Sequence, residues 1–122
     1  FDLPKENAAE DSHDLLPLLK GTSKKVRNTH VHNTKPNQYA IRHNDWVLVA
    51  AKSGYVSSRN SGWEKKHGYE IDEEQPVELY NLKNDIGQRH NIAEKHPEKV
   101  KELTALLQKI REQGYSAPRL TP

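Results

Sequence analysis

His96-Pro97-Glu98-Lys99-Val100-Lys101-Glu102-Leu103-Thr104-Ala105-Leu106-Leu107-Gln108-Lys109-Ile110-Arg111-Glu112-Gln113-Gly114 is the run on which the fold turns. Val100, Leu103, Leu107 and Ile110, with Leu106 beside them, recur at helical spacing and make one apolar stripe. Pro97 suits the first helical position, where a missing N–H has no intrahelical partner to lose. His96 can cap, and Gly114 suits the stop. Glu98 stands near the positive end of the helix dipole, and Lys109 and Arg111 near the negative end. The spacing predicts a helix over 97–113. A helix with one apolar stripe has to lay it on something, and the preceding segments supply a sheet.

Val77 to Leu82 reads as a strand followed by a turn at Asn84-Asp85-Ile86-Gly87. Further toward the N-terminus, Tyr39 to Arg42 and Trp46 to Ala51 are rich in β-branched and aromatic residues. His43-Asn44-Asp45 between them tolerates a tight turn, so the pair reads as a β-hairpin. Val47 and Val49 point to one side of their strand, Trp46 and Leu48 to the other. Apolar residues on both sides predict a central strand covered on two faces. Lys24 to His32 carries valines and a threonine in imperfect alternation and is expected to hold another strand. The sum is an α+β fold: a small antiparallel sheet of a few strands with one long C-terminal helix packed on it.

Two stretches fall outside this pattern. Residues 1–23 read as an extended arm with a short helical turn. There Asp11-Ser12 precede Leu15, Leu16, Leu18 and Leu19, Pro17 interrupts, and Gly21 closes. From Lys52 to Pro76 no period survives, and a loop beyond about 15 residues is usually functional or disordered. Residues 24–122 then form one folding unit.

Composition narrows the function. The chain has 122 residues, enough for one domain. Leu, Ile, Val and Phe make about a fifth of it, the lean edge for a self-sufficient core. Its 19 basic and 17 acidic side chains are spread through the sequence without the dense basic stripe of a phosphate-tracking surface, which argues against nucleic acid. No apolar run approaches the length of a membrane-spanning helix, and Phe1 to Glu10 lacks the pattern of an export signal. A start at Phe1 rather than Met suggests a piece of a longer precursor. With no cysteine, thiolate catalysis and zinc–thiolate sites are excluded.

His30 and His32, two apart on one strand, share a face, but two ligands do not make a metal site. They read as solvated or hydrogen-bonded strand residues, with His43 as a turn residue. Ser53, Ser57, Ser58 and Ser61 lack the Gly-flanked elbow of a nucleophile. No catalytic or metal-ligating residue is therefore assigned. The basic and aromatic side chains of the excursion remain: Lys52, Tyr55, Arg59, Trp63, Lys65 and Lys66. Cations there could hold an anionic group, and the rings could stack on a sugar.

The order of the segments is more specific than any one of them. Asp11-Ser12-His13-Asp14-Leu15-Leu16-Pro17-Leu18-Leu19 before Gly21 leads to Tyr39-Ala40-Ile41-Arg42 with Asp45-Trp46. Glu78-Leu79-Tyr80-Asn81-Leu82, Asn84-Asp85, Gly87, Asn91-Ile92-Ala93 and His96-Pro97-Glu98 follow. Together they resemble the C-terminal end of the arylsulfatase-like, formylglycine-dependent sulfatases over nearly the whole chain. That resemblance implies a sheet of four strands with the long helix on it, packed beside an N-terminal catalytic domain of the same parent chain. It implies a parent sulfuric ester hydrolase, periplasmic or secreted, acting on a sulfated carbohydrate or an aryl sulfate, with calcium and formylglycine in the catalytic domain. None of those catalytic or metal residues carries over to a position here.

The same resemblance makes His32, Asn33 and Thr34, at the end of the first strand, and Lys52, Arg59 and Trp63, in the excursion, candidates for the rim of the substrate pocket. Relatives often have a second histidine where this chain has Asn33. A piece built to dock on a larger neighbour is also expected to expose an apolar face. Two other readings stand beside this one: a noncatalytic glycan-binding module working through Trp63, Tyr55 and nearby cations, and a docking domain whose loop contacts nothing.

Overall fold

The structure is a computed structural model that describes residues 12–51, 61–69 and 75–117. Among these residues seven elements follow in order: α1 (Leu16–Leu19), β1 (Thr29–Lys35), β2 (Gln38–His43), β3 (Trp46–Ala50), α2 (Ser61–Lys66), β4 (Glu78–Asn81) and α3 (Pro97–Gln113). The four strands form one antiparallel sheet in the order β1-β2-β3-β4, each beside its neighbour in sequence.

The core sits where α3 crosses the middle strands. Ile41, Leu48 and Leu79 stand opposite one another in register across β2, β3 and β4, and all three are fully buried. Leu103, Leu107 and Ile110 of α3 close over them, with Ala93 at the edge and Val31, Trp46 and Val100 packed around. Burying a side chain of this size contributes about 1.5–3 kcal/mol, so this small cluster supplies much of the driving force a lean sequence can offer. The reverse face of the sheet is also covered: Ala40, Val47 and Tyr80, all pointing away from α3, are buried. Two buried faces for β3 agree with the apolar residues on both sides of its sequence. Glu78 lies on the reverse face too, the one buried charged side chain among the described residues, and its Oε2 accepts a hydrogen bond from Tyr80 Oη at 2.8 Å.

The helix begins and ends where the sequence places it. Pro97 opens α3, and Gly114 ends it with φ 79°, its N–H returned to Ile110 O at 2.9 Å. His96 occupies the capping position but makes no side-chain cap bond. Its ring instead meets Trp46 edge-on, 5.5 Å between centroids, so it ties the start of α3 to the sheet.

β1 is displaced relative to the expectation of a strand within Lys24 to His32. It starts at Thr29 and runs to Lys35. Ser23 explains the late start: its hydroxyl accepts from Lys25 N at 3.2 Å and donates to Lys25 O at 2.7 Å, a local turn that competes with strand pairing. Pro36 and Asn37 explain the end. Asn37 takes the left-handed φ of 62° between paired Lys35 and Gln38, making a second hairpin that the sequence pattern does not announce. The β2–β3 hairpin turns at Asn44, φ 55°, as its composition indicates.

α1 is a short turn whose first N–H, that of Leu16, donates to Asp14 Oδ1 at 2.8 Å, while Asp11 of the expected Asp11-Ser12 start lies outside the described residues. α1 buries none of its residues. Leu15, Leu16, Leu18 and Leu19 are all exposed, Leu19 by 81%. The rest of the arm, 1–11, lies outside the described residues. So does most of the 52–76 excursion, although its middle holds a helix, α2, which the missing period does not suggest.

Candidate functional site

Among the described residues β1 is an edge strand, paired with β2, and its side chains alternate across the sheet. Thr29, Val31 and Asn33 face α3, and His30 and His32 face away. The rings of His30 and His32 stack at 5.7 Å between centroids, and His30 Nδ1 is engaged by Arg27 Nη1 at 3.1 Å. His43 is held on the α3 side by Thr29 Oγ1 at 2.8 Å. His30 and His43 are therefore hydrogen-bonded, and His32 stacks on its neighbour. Among the described residues no group of three His, Asp or Glu side chains is placed to hold a metal ion.

The alternation separates the first three rim candidates. His32 and Asn33, adjacent in sequence, point to opposite faces. Thr34 falls in the register shift between Asn33 and Lys35. Asn33 pairs with Tyr39 and opens onto a cleft of about 620 Å³ between β1 and the last turn of α3, within the size range of small-ligand sites. Arg27, Tyr39, Arg111 and Tyr115 also line it. The Arg111 guanidinium carbon lies 4.3 Å from the Tyr39 ring centroid, a close cation–π contact. Sequence reasoning misses this cleft, because Arg111 reads only as a helix-end charge and Tyr39 only as a strand aromatic. The apolar stripe holds the signal: Arg111 comes four residues after buried Leu107 and so borders the packed face.

Trp63 lies on α2, half exposed, in an aromatic group of its own. His67 stacks on it at 4.1 Å with 22° between the planes, and Tyr69 is tilted against it at 5.8 Å. His67 Nδ1 also lies 2.7 Å from Trp63 O, a local bond that fixes the imidazole one turn along. Arg89, from the loop after β4, sits over the Tyr69 ring at 5.6 Å, which ties this group to the main body. In this stack His67 lies against the half-exposed indole and Arg89 lies over the Tyr69 ring, so aromatic and cationic groups able to meet a sugar stand together. Lys52 and Arg59 lie outside the described residues, so the structure places neither.

Opposite the cleft, the outer edge of β4 is closed by a loop. Asn91 Oδ1 accepts from Leu79 N and Ala93 N, both at 3.0 Å, while its Nδ2 donates to Val77 O at 3.2 Å. Asp85 Oδ2 accepts from Arg89 N and His90 N at 2.8 and 2.9 Å, which shapes the turn that delivers Asn91. The Asn84-Asp85, Gly87 and Asn91-Ile92-Ala93 segments are thus edge-closing structure rather than chemistry.

Known proteins align with this arrangement. No family model matches the chain. An N-acetylgalactosamine-6-O-sulfatase of Bacteroides thetaiotaomicron is 29% identical over 106 residues, which cover 87% of this chain and 20% of that protein. A solved structure of a 6S-sulfatase, from work on glycosaminoglycan metabolism by the same organism, superposes with a TM-score of 0.62 at 27% identity, over 90% of this chain and 22% of its own. The chain thus spans about a fifth of the length of the proteins it matches. It is similar to these sulfatases over nearly its whole length and to a small part of theirs, which fits a C-terminal sulfatase subdomain.

Proposed function

We propose that this subdomain packs through the leucines of α1 against the N-terminal catalytic domain of its own parent protein, a sulfuric ester hydrolase, and lends residues to the rim of the sulfated-substrate pocket. One observation carries the reading: the sheet is covered on both faces, yet four leucines within five residues stand in solvent with no residue of α1 buried. An apolar cluster of that kind marks a surface made for a partner. The relatives are several times longer, and a catalytic domain of the same chain is the partner that length implies.

The chemistry belongs to that domain. Calcium and formylglycine are proposed for it and for no residue of this chain. The proposed substrate is a sulfated polysaccharide in the periplasm or outside the cell, in keeping with the glycosaminoglycan context of the relatives. Asn33 and Trp63 are the rim candidates best supported by their surroundings, a cleft and a stacked ring surface. The experiment co-expresses the 122-residue chain with the catalytic portion of its parent. Co-purification and sulfate release are expected, and both should fall when Leu16 and Leu19 are changed to Asp. Robust sulfate release by the chain alone, or an unchanged complex with both aspartates present, overturns the proposal.

A second reading, a noncatalytic glycan-binding module, draws on the Trp63–His67–Tyr69 stack. Saturable binding of unsulfated oligosaccharide to the chain by itself, lost in Trp63→Ala, would favour it over the first.

A further inference from the structure

We propose that the cleft between β1 and the last turn of α3 is a subsite for an acidic sugar unit, with the Arg111 guanidinium holding its anionic group. This deepens the rim reading above and rests on it only for the expectation that a sulfate ester is the preferred anion.

Three features point to a ligand. First, Arg111 makes no ion pair among the described residues. Its guanidinium is held against the Tyr39 ring at 4.3 Å, which restricts its orientation and leaves the edge N–H groups for a bidentate oxyanion. Second, a further cation stands across the same cleft: Arg27, positioned by its contact with His30 Nδ1 at 3.1 Å. Third, a volume of about 620 Å³ far exceeds a bare ion and suits one or two sugar rings, and Asn33, Gln108 and Tyr115 add groups able to hydrogen-bond hydroxyls.

Two features of the cleft oppose an anion. Glu112 lines it with a negative charge, its Oε1 accepting from Gln108 Nε2 at 2.7 Å, but the lining sets two arginines, Arg27 and Arg111, against that one carboxylate. The C-terminal end of α3 carries partial negative charge, but Gly114 N occupies the Ile110 carbonyl, and Arg111 sits in that last turn.

Calorimetric titration of the 122-residue chain tests this with four probes: a neutral disaccharide bearing one sulfate ester, an unsulfated uronate disaccharide, the uncharged parent disaccharide and sodium sulfate. One or both acidic saccharides should bind with 1:1 stoichiometry, and the tighter one identifies the anion. R111A should weaken that binding about tenfold or more, with an unchanged circular dichroism spectrum. Asn33→Asp, at an exposed edge position, should weaken it as well by placing a carboxylate in the cleft. If the chain does not hold its fold alone, the same titration in the longer parent should give one site fewer for R111A than for wild type.

Equal binding by wild type and both variants overturns the proposal. So does equal affinity for the uncharged disaccharide, or binding of sodium sulfate but of neither acidic saccharide. A parent that hydrolyses no sulfate ester yet shows Arg111-dependent saccharide binding removes the sulfatase reading and keeps the subsite. An active parent whose R111A variant binds like wild type does the reverse.

Discussion

The side-chain oxygen of Asn91 takes the backbone N–H of Leu79 at 3.0 Å, and so an amide side chain stands where a fifth strand would otherwise pair with β4. Asn91 also accepts from Ala93 N and donates to Val77 O, so one residue satisfies three backbone groups at a half-buried edge. An edge strand left open invites pairing with another chain, and this loop removes that hazard.

Asn91→Ala leaves Leu79 N–H, Ala93 N–H and Val77 C=O without their partner. The expected loss is about 2–3 kcal/mol, because leaving buried polar groups unpaired costs more than the bonds themselves contribute. Asn91→Asp keeps the acceptor and loses only the donor, so its loss should be smaller. Urea denaturation of the two variants against the unaltered protein checks the order, and equal losses would refute the assignment.

Leu48 and Leu19 are the same residue type at opposite ends of the burial scale, 0% and 81% exposed. Leu48→Ala empties space between β3 and α3 and should destabilise by about 3–5 kcal/mol. Leu19→Ala in the same chain should shift stability by no more than about 0.5 kcal/mol. Its effect should emerge only with the catalytic portion present, as faster proteolysis of the assembled protein. A large loss from Leu19→Ala in the chain alone would mean that α1 packs on the subdomain itself.

Gly114 sits at φ 79° with open space where a Cβ would go. Gly114→Ala therefore meets no neighbour and should cost only the left-handed backbone penalty, about 1–2 kcal/mol. Gly87→Ala has a different cause. Its Cβ would come within 3.2 Å of Arg89 Nε, a side chain that can move aside, and the expected loss is smaller. Thermal unfolding of both variants separates backbone strain from crowding.

What is legible in the sequence follows from how local each signal is. The helix over 97–113 can be read to the residue, because Pro97, the apolar stripe and Gly114 all act within a turn or two of themselves. The β2–β3 hairpin is equally local. The start of β1 is not, since it depends on whether Ser23 bonds its neighbours or the chain continues into the sheet. The His32-Asn33-Thr34 group looks like one site in sequence, yet an edge strand sends neighbours to opposite faces, so Asn33 opens onto the cleft while His32 faces away from it. That cleft joins Arg27, Asn33 and Arg111, residues up to 84 positions apart in the chain, and no spacing rule reaches so far.

Trp63 offers the sharpest kinetic test of the rim. Its indole is stacked on His67 at 4.1 Å and half exposed, so removing it should leave the main core untouched, since neither residue belongs to that cluster. If the ring surface stacks on a polymeric substrate beyond the scissile ester, Trp63→Ala in the intact parent should raise KM on a sulfated polysaccharide about tenfold. That factor corresponds to about 1.4 kcal/mol, the scale on which one aromatic stacking partner stabilises a complex. Its kcat and its kinetics on a small aryl sulfate should hardly change, because such a substrate is too short to reach the ring. Trp63→Phe should recover most of the affinity by restoring a flat face. A fall in kcat on both substrates would instead place Trp63 in the packing that positions the catalytic domain, and unchanged kinetics on the polymer would take it off the rim.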